Sequence, residues 1–545
     1  VAFLPSGKIR LAPEPLLLAC LGATGIFFGL PNGLLHVPLL SLLFPFSLYM
    51  LAATASSGKQ AFRRGWWLGF CGNAAGLYWL VFPLHDVAGI PLVLAIPFVV
   101  PLFVCLSLFT ALAALGLYNL RGHAAAGRKG RACLPVLLGG LAYGGFEVFC
   151  SWLFTGFPWL SLSTAFAFQP AWTQVASVVG AYGLSAFYAV AAFAAASACL
   201  ESGKPRLIAA AVALGILLAL PGYGIFRLTP ASEQKEQPLS LIMVQGNIDQ
   251  SLKWDPAFQK ATLDHYLALS EKALSACASS PACPKPELLL WPETAMPFYF
   301  QQQHEYADTI RRFATDNGIY LAFGAPAFQR DPRSTSLLNR LYLLSPSGVT
   351  TGFYDKEHLV PFGEYTPFAA SIPFLNDILQ GMDFIPGMHN QLLRLHRQGN
   401  PDLLLGALIC YEAIFPALAQ ERVEQGAEIL INVSNDGWFR KSSAPLQHLA
   451  HAALRCVEQS RSLARATNTG ITAVIDPHGR ISARLDGLFV DGALTATIEP
   501  NRETTLYHCL RPVPEVLLMA LALFSLFSYN IFRKPKNRNA NASTA

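Results

Sequence analysis

The sequence predicts a polytopic α-helical membrane bundle of about eight spans joined to one large extracytoplasmic α/β domain, and three observations lead there. Of its 545 residues, 53% are hydrophobic and only 13% charged, which is too apolar for an average soluble chain. Long uncharged runs fill residues 15 to 226 and return at 514 to 532, with ordinary globular composition between them. Lys and Arg fall in every second loop between those runs, the pattern of a chain threaded back and forth through a bilayer.

A span takes about 20 apolar residues, and the first region supplies about seven of them. They run from Pro15 to Leu30, Leu34 to Ala55, Gly65 to Leu84, Val87 to Leu117, Cys133 to Phe154, Trp172 to Leu200 and Leu207 to Phe226. One more runs from Pro514 to Phe532. The first is short, and Pro91, Pro97 and Pro101 interrupt the fourth. Lys8 and Arg10 precede the first span, and Lys59, Arg63 and Arg64 follow the second. Arg121, Arg128, Lys129 and Arg131 follow the fourth, Lys204 and Arg206 the sixth, and Arg533, Lys534, Lys536 and Arg538 the last. Basic loops stay in the cytoplasm, so both termini are expected there and the intervening domain on the opposite side. No cleavable signal peptide is read, and the first apolar run is expected to act as a retained anchor. The expected organisation is a membrane bundle over 1–235, a catalytic domain over 236–505 and a closing span with a basic tail over 506–545.

The net charge of +5 is spread over short loops, with no basic stripe to track a nucleic acid. The 11 cysteines show no paired metal-ligand spacing, so no metal is expected. Cys277 and Cys283 lie in a polar loop where, outside the cytoplasm, they are able to pair.

Within the middle region, strand-like runs cover Ser240 to Val244, Glu287 to Trp291, Tyr320 to Phe323, Leu341 to Leu344, Leu403 to Ile409, Ile429 to Val433 and Ile471 to Ile475. Helix-like stretches cover Phe258 to Leu274, Ala413 to Gln425 and Leu446 to Arg465. Three motifs put a reactive side chain just after a strand: Leu-Trp-Pro-Glu-Thr with Glu293, Tyr-Asp-Lys-Glu-His-Leu-Val-Pro-Phe-Gly-Glu with Lys356 and Glu364, and Ile-Cys-Tyr-Glu with Cys410. Singly each is weak, since a Cys behind an apolar strand is ordinarily a packing residue and a loop Lys or Glu ordinarily solvated.

In this order the three motifs resemble the nitrilase, or carbon-nitrogen hydrolase, superfamily. That resemblance implies an α-β-β-α sandwich and a triad of Glu293, Lys356 and Cys410. The chemistry suits the residue types. A thiol needs a base, which a carboxylate supplies when burial raises its pKa, and Glu293 is expected to be that base. A fixed cation and backbone N–H groups stabilise the oxyanion of acyl transfer, the part expected of Lys356, whose charge also favours the thiolate.

Further stretches are Val-Gln-Gly-Asn-Ile with Ser-Leu-Lys-Trp (244 to 254), Thr-Gly-Phe-Pro-Trp-Leu (155 to 160), Ser-Asn-Asp-Gly-Trp-Phe (434 to 439) and Thr-Asn-Thr-Gly-Ile-Thr-Ala-Val (467 to 474). With the bundle and the closing span they resemble the apolipoprotein N-acyltransferase family over almost the whole chain. That resemblance implies a multi-pass protein of the bacterial cytoplasmic (inner) membrane with its catalytic domain in the periplasm. It implies a ping-pong reaction in which Cys410 takes an acyl chain from a membrane phospholipid and passes it to the α-amine of a diacylglyceryl-cysteine on an apolipoprotein. No cofactor is implied. Trp254, Glu364, Tyr411 and Glu412 match positions of that family's active site. Glu364 is able to orient Lys356 by an ion pair, while Asn435, Asp436 and Trp438 read as loop-stabilising. Arg440 stands where that pattern leads one to expect a small Gly.

Two apolar loops, Pro297 to Phe300 and Pro367 to Met388, read as surfaces for lipid or as a lid, with packing against the protein as the other reading. The second carries Phe368, Ile372, Phe374, Leu375, Ile378, Leu379, Phe384 and Ile385. Glu147, inside the fifth span, is a functional candidate by its cost alone or a residue bonded to neighbouring helices. Two other function classes stay open: an exported amidase or nitrilase that passes the acyl group to water, and a transporter with an extracytoplasmic sensor domain. Oligomeric state is not legible, and a monomer is compatible.

Overall fold

The computed structural model describes residues 14–87, 89–125, 133–229, 237–302, 305–331, 334–366, 383–388 and 391–532. Among these, the apolar regions fold as helices α1 (Pro15–Gly29), α2 (Leu43–Ala53), α3 (Gly58–Gly76), α4 (Leu92–Ala125), α5 (Cys133–Trp152), α6 (Ala176–Leu200) and α7 (Lys204–Arg227). Four described helices are long and apolar enough to cross a membrane: Leu92–Arg121, Cys133–Thr155, Ala176–Leu200 and Lys204–Arg227. Gly58–Gly76 with Tyr78–Asp86 makes a fifth if that pair, bent by 64°, is one span. Pro15–Gly29, Pro38–Ala53 and Val513–Ser528 are apolar but shorter.

The local chemistry explains the shortening. After α1 the Asn32 side chain accepts from the backbone of Leu34 and Leu35 and donates to Phe27, so the second apolar run opens as a loop and turns helical only at Pro38. The fourth run becomes α-helical at Leu92, after a π-turn over Pro83–Val87 and after Pro91. Pro97 and Pro101 lie inside the helix without ending it. Gly180, at φ 74°, kinks α6.

The middle region forms two six-stranded sheets, ordered β12-β1-β2-β3-β4-β5 and β11-β10-β9-β8-β7-β6. The first holds β1 (Leu239–Gln245), β2 (Leu288–Leu290), β3 (Tyr320–Asp331), β4 (Ser334–Leu344), β5 (Thr350–Asp355) and β12 (Gly492–Ile498). The second holds β6 (Leu393–Leu395), β7 (Leu403–Ile409), β8 (Ile429–Ser434), β9 (Ser462–Thr467), β10 (Ala473–Ile475) and β11 (Ile481–Arg484). β1-β2-β3 and β7-β8-β9 are parallel; every other pairing is antiparallel.

Period-two alternation sorts these strands' side chains into layers. Leu239, Leu241 and Met243 meet Leu405, Ile409, Ile429 and Ile431 in a core between the sheets. Their alternates Ile242, Val244 and Leu289 pack outward on α8 (Gln259–Ala278) and α9 (Glu305–Asn317). Leu408, Leu430 and Leu463 pack on α10 (Pro416–Glu424) and α11 (Ala444–Gln459). The result is an α-β-β-α sandwich, each fully buried aliphatic side chain contributing about 1.5–3 kcal/mol. Beyond it the chain closes with α12 (Val513–Phe532).

The α10–α11 layer rests on the helical bundle. Gln447 of α11 accepts from the indoles of Trp79 (3.1 Å) and Trp159 (2.8 Å), and His451 donates to the Trp159 carbonyl at 3.0 Å. Two expectations fail at this level. The helix read from Leu446 to Arg465 stops at Gln459, because Ser460 turns left-handed (φ 52°) and residues 462–467 form the buried central strand β9. The loop Pro297 to Phe300 does not face lipid: Phe298 and Phe300 are buried in the outer core of the first sheet.

Candidate active site

Sheet order decides which loops meet. Glu293 follows β2 and Lys356 follows β5 on the first sheet, and Cys410 follows β7 on the second. Their side chains converge where the two sheets face each other. The Lys356 ammonium lies 3.3 Å from Glu293 Oε1 and 2.8 Å from Glu364, so Glu364 makes the ion pair expected of it. Asn339 of β4 donates to both Glu293 (2.8 Å) and Glu364 (2.8 Å). The backbone N–H of Asn435 donates to Glu293 Oε2 at 2.9 Å, and the Cys410 thiol is near enough for the same carboxylate to act on it.

Cys410 is 8% exposed and sits at φ 52°, opening a tight turn over Cys410–Ile414. A left-handed non-glycine residue costs of order 1–3 kcal/mol and persists only where its surroundings hold it. Here His448 Nε2 donates to the Cys410 carbonyl at 2.9 Å, which fixes the proton on Nε2. Its Nδ1 lies 3.0 Å from Arg465 and 3.1 Å from Asp436, and Arg465 also pairs with Asp436 at 2.9 Å. Asp436 and His448 are wholly buried, so this network stiffens the Cys410 turn rather than meeting a substrate.

Charge in the site differs from the sequence expectation. Burial favours the neutral form of Glu293, but Lys356, the Asn339 bond and a second lysine, Lys253, outweigh it and hold the carboxyl below its ordinary value. Burial opposes the Lys356 charge too, and Glu293 and Glu364 keep the ammonium above its usual range. Burial, then the Glu293 carboxylate, push the Cys410 thiol up despite Lys356. Glu293 is therefore not a base made strong by burial, and Lys356 does not by itself yield a resting thiolate. At rest the proton sits on sulfur beside an ionised acceptor.

Glu412 is fully buried. It accepts from the backbone of Ile409 (2.6 Å), Glu357 (2.6 Å) and His358 (3.0 Å) and from the Tyr354 hydroxyl. Burial lifts its pKa to about 7. Tyr411 turns away toward the bundle, donating to the Gly156 carbonyl at 2.9 Å and packing with Phe157, Trp159 and Phe415. Trp254 is half-buried beside Lys253. Asn435 binds Gln250 and Asn468, tying the loop after β8 to the segment after β1. Arg440 occupies φ 52°, ψ −163°, a glycine-type conformation, and pairs with Asp86 of the bundle.

Glu147 accepts from the Ser161 hydroxyl (2.7 Å) and the Leu162 backbone (2.9 Å), which binds α5 to the segment after it. It lines a cavity of about 90 Å3 with Phe157 and Leu160. In the second apolar loop, residues 367–382 lie outside the described residues, among them Phe368, Ile372, Phe374, Leu375, Ile378 and Leu379. Phe384 is buried, Ile385 half-buried and Met388 exposed.

Sequence reasoning missed Lys253 and Asn339. Lys253 is 1% exposed, donates to the Thr294 hydroxyl at 2.6 Å, and burial brings its ammonium down to about 8. The signal lies in the Ser-Leu-Lys-Trp stretch, where Lys253 directly precedes Trp254. Asn339 gave none, being one polar residue on an alternating strand.

The carbon-nitrogen hydrolase family model matches residues 243–506, and the model of the apolipoprotein N-acyltransferase N-terminal domain matches residues 24–194. An apolipoprotein N-acyltransferase of Geobacter metallireducens is 36% identical over 470 residues, covering 85% of this chain and 86% of its own length. The protein of that name from Rhodopseudomonas palustris is 33% identical over 511 residues, covering 89% and 90%. Among solved structures, Saccharomyces cerevisiae Nit3, a member of branch 10 of the nitrilase superfamily, aligns at 18% identity and a TM-score of 0.37, over 52% of this chain and 97% of its own. With two relatives matched nearly end to end and both family models matched in their order, the chain belongs to the apolipoprotein N-acyltransferase family.

Proposed function

We propose that this protein is a membrane N-acyltransferase that moves an acyl chain from a phospholipid, through a thioester on Cys410, to the α-amine of the diacylglyceryl-cysteine that begins an apolipoprotein. The observation that carries the reading is the convergence of Cys410, Glu293 and Lys356 at one buried point in a chain of this family. In the first half-reaction the Cys410 proton passes to Glu293 as sulfur attacks the ester carbonyl. Lys356 and backbone N–H groups of the Cys410–Ile414 turn meet the oxyanion, the C–O bond breaks, and Glu293 returns the proton to the departing glycerol oxygen. In the second, the amine attacks the thioester, Glu293 takes its proton, and the C–S bond breaks to restore the thiol. Glu364 orients Lys356, Glu412 and Tyr411 hold the nucleophile's turn, and Trp254, next to Lys253, is a supporting residue.

The accompanying topology has about eight spans, a bundle over 1–235, a catalytic domain over 236–505 and a closing segment over 506–545. Both termini are cytoplasmic and the domain lies on the periplasmic face of the inner membrane. Alternation of basic loops supports this orientation. So does the Cys277–Cys283 disulfide, a bond of oxidising compartments.

Incubating the full-length protein in detergent with phospholipid labelled in its acyl chains tests the reaction. A hydroxylamine-sensitive label on the protein, absent from Cys410→Ala and transferable to a diacylglyceryl peptide, is expected. No adduct on the wild type, or an equal one on Cys410→Ala, sinks the mechanism. Release of the chain to water in preference to the peptide would return the amidase reading.

A further inference from the structure

The site holds a second buried cation to which the reaction above gives no task. Lys253 lies on the turn after β1, its Nζ 2.6 Å from the Thr294 hydroxyl and 3.4 Å from the Glu293 carbonyl. Neither acceptor is charged. A glutamine would supply donors to both, without the cost of burying an ionised group. A reason for the charge lies in the neighbours. Glu293, Glu364, Lys356 and Cys410 share the buried point, and Asp436 acts on Cys410 from the second sheet. Asp436 is already matched by Arg465. That leaves Glu293 and Glu364 against Lys356 alone, a surplus of negative charge beside the thiol, unless Lys253 is counted.

Lys253 is also held firmly. Thr294, its partner, adopts φ 46°, and Gly324 packs so closely behind that turn that a Cβ there would lie 2.4 Å from the Thr294 nitrogen. A lysine bonded to so constrained a hydroxyl has a fixed position relative to the Glu293 carboxylate.

We infer that Lys253 is a further functional residue of the acyl-transfer site: the cation that balances Glu293 and Glu364, and so lets negative charge form on Cys410 and then on the tetrahedral oxyanion. This rests on the acyl-transfer reading. The proton moves from sulfur to Glu293 as the S–C bond forms, so the site's total charge is constant through the step. Over Glu293, Glu364 and Lys356 that total is −1 and Lys253 brings it to zero, so the developing oxyanion is met by two cations and not one; Glu412, buried behind the Cys410 turn with a pKa of about 7, adds negative charge above neutrality.

The test is single-turnover formation of the Cys410 adduct from labelled phospholipid, followed from mildly acid to mildly alkaline pH. Lys253→Met is expected to slow it about tenfold or more near neutrality and to move the rising limb of the profile to higher pH, since Glu293, the proton acceptor, loses a charge that keeps it ionised. Lys253→Gln, which keeps a donor for Thr294, is expected to move the limb equally and keeps the test decisive should the Met variant not fold. Lys253→Arg is expected to leave the limb in place. Thr294→Val, which removes the hydrogen bond and keeps the charge, is expected to do the same. A limb unmoved in both uncharged variants would reduce Lys253 to packing and overturn the inference, as would an equal displacement in Thr294→Val. Absence of any adduct on the wild type would remove the acyl-transfer reading itself, and the inference with it.

Discussion

Glu412 Oε1 stands 2.6 Å from the backbone nitrogen of Glu357, so the turn that bears Cys410 grips the loop that bears Lys356. The same carboxylate accepts from Ile409 immediately before the nucleophile. One buried side chain thereby sets the distance between thiol and cation.

Glu412→Gln should for that reason be far from silent. Its amide would present N–H groups to a nest of backbone N–H donors with no water to separate them. Adduct formation is expected to fall about 10- to 100-fold. An unchanged single-turnover rate would mean that the two loops are held by other contacts.

Lys253 gives a pH signature in stability as well as in rate. Burial lowers its pKa to about 8 from an ordinary 10.5. Between those values the unfolded chain binds the proton and the folded one does not, so stability rises with pH across that window. The apparent melting temperature of the wild type relative to Lys253→Met is expected to climb through it, and a flat difference would contradict the depressed value.

Arg440 separates strain from charge. Its backbone lies in a region open essentially to glycine, while its ion pair with Asp86 is more than half exposed on the arginine side. Arg440→Gly is expected to be more stable than Arg440→Ala by about 1–3 kcal/mol, because both lose the pair and only glycine relieves the backbone. Equal melting temperatures for the two variants would refute this.

Gly156 tests the link from bundle to nucleophile. A Cβ there would fall 2.1 Å from the Ser151 carbonyl, at φ 85°, so Gly156→Ala must shift the carbonyl that receives the Tyr411 hydroxyl. Its adduct formation is expected to drop further than that of Tyr411→Phe, which gives up a single hydrogen bond worth about 1 kcal/mol. The reverse order would show that Tyr411 acts through its hydroxyl alone.

Much of the fold could be read in the sequence because its signals are local. The short apolar run Leu403 to Ile409 marks a strand whose bounds agree with β7, and the long apolar runs mark helices. Strand β9 could not be read that way. Its Arg465 looks like the charged end of an amphipathic helix until Asp436 and His448, distant in sequence, arrive to neutralise and bond it. The reactive side chains were legible as residue types after strands, but the state of their protons was not. Glu293 by burial alone would hold its proton; the two lysines that reverse this come from different loops. Span lengths failed for a related reason, since hydropathy counts residues such as Leu34 and Leu35 that the Asn32 side chain holds in a loop.

Glu293 and Lys356 follow strands of one sheet and Cys410 follows a strand of the other. A newly made chain that has completed only one of its sheets thus carries either a thiol with no proton acceptor or a carboxylate with nothing to activate. On the acyl-transfer reading, such a chain is inert. Under that reading the site exists only where the two sheets face each other, so neither sheet alone holds the chemistry.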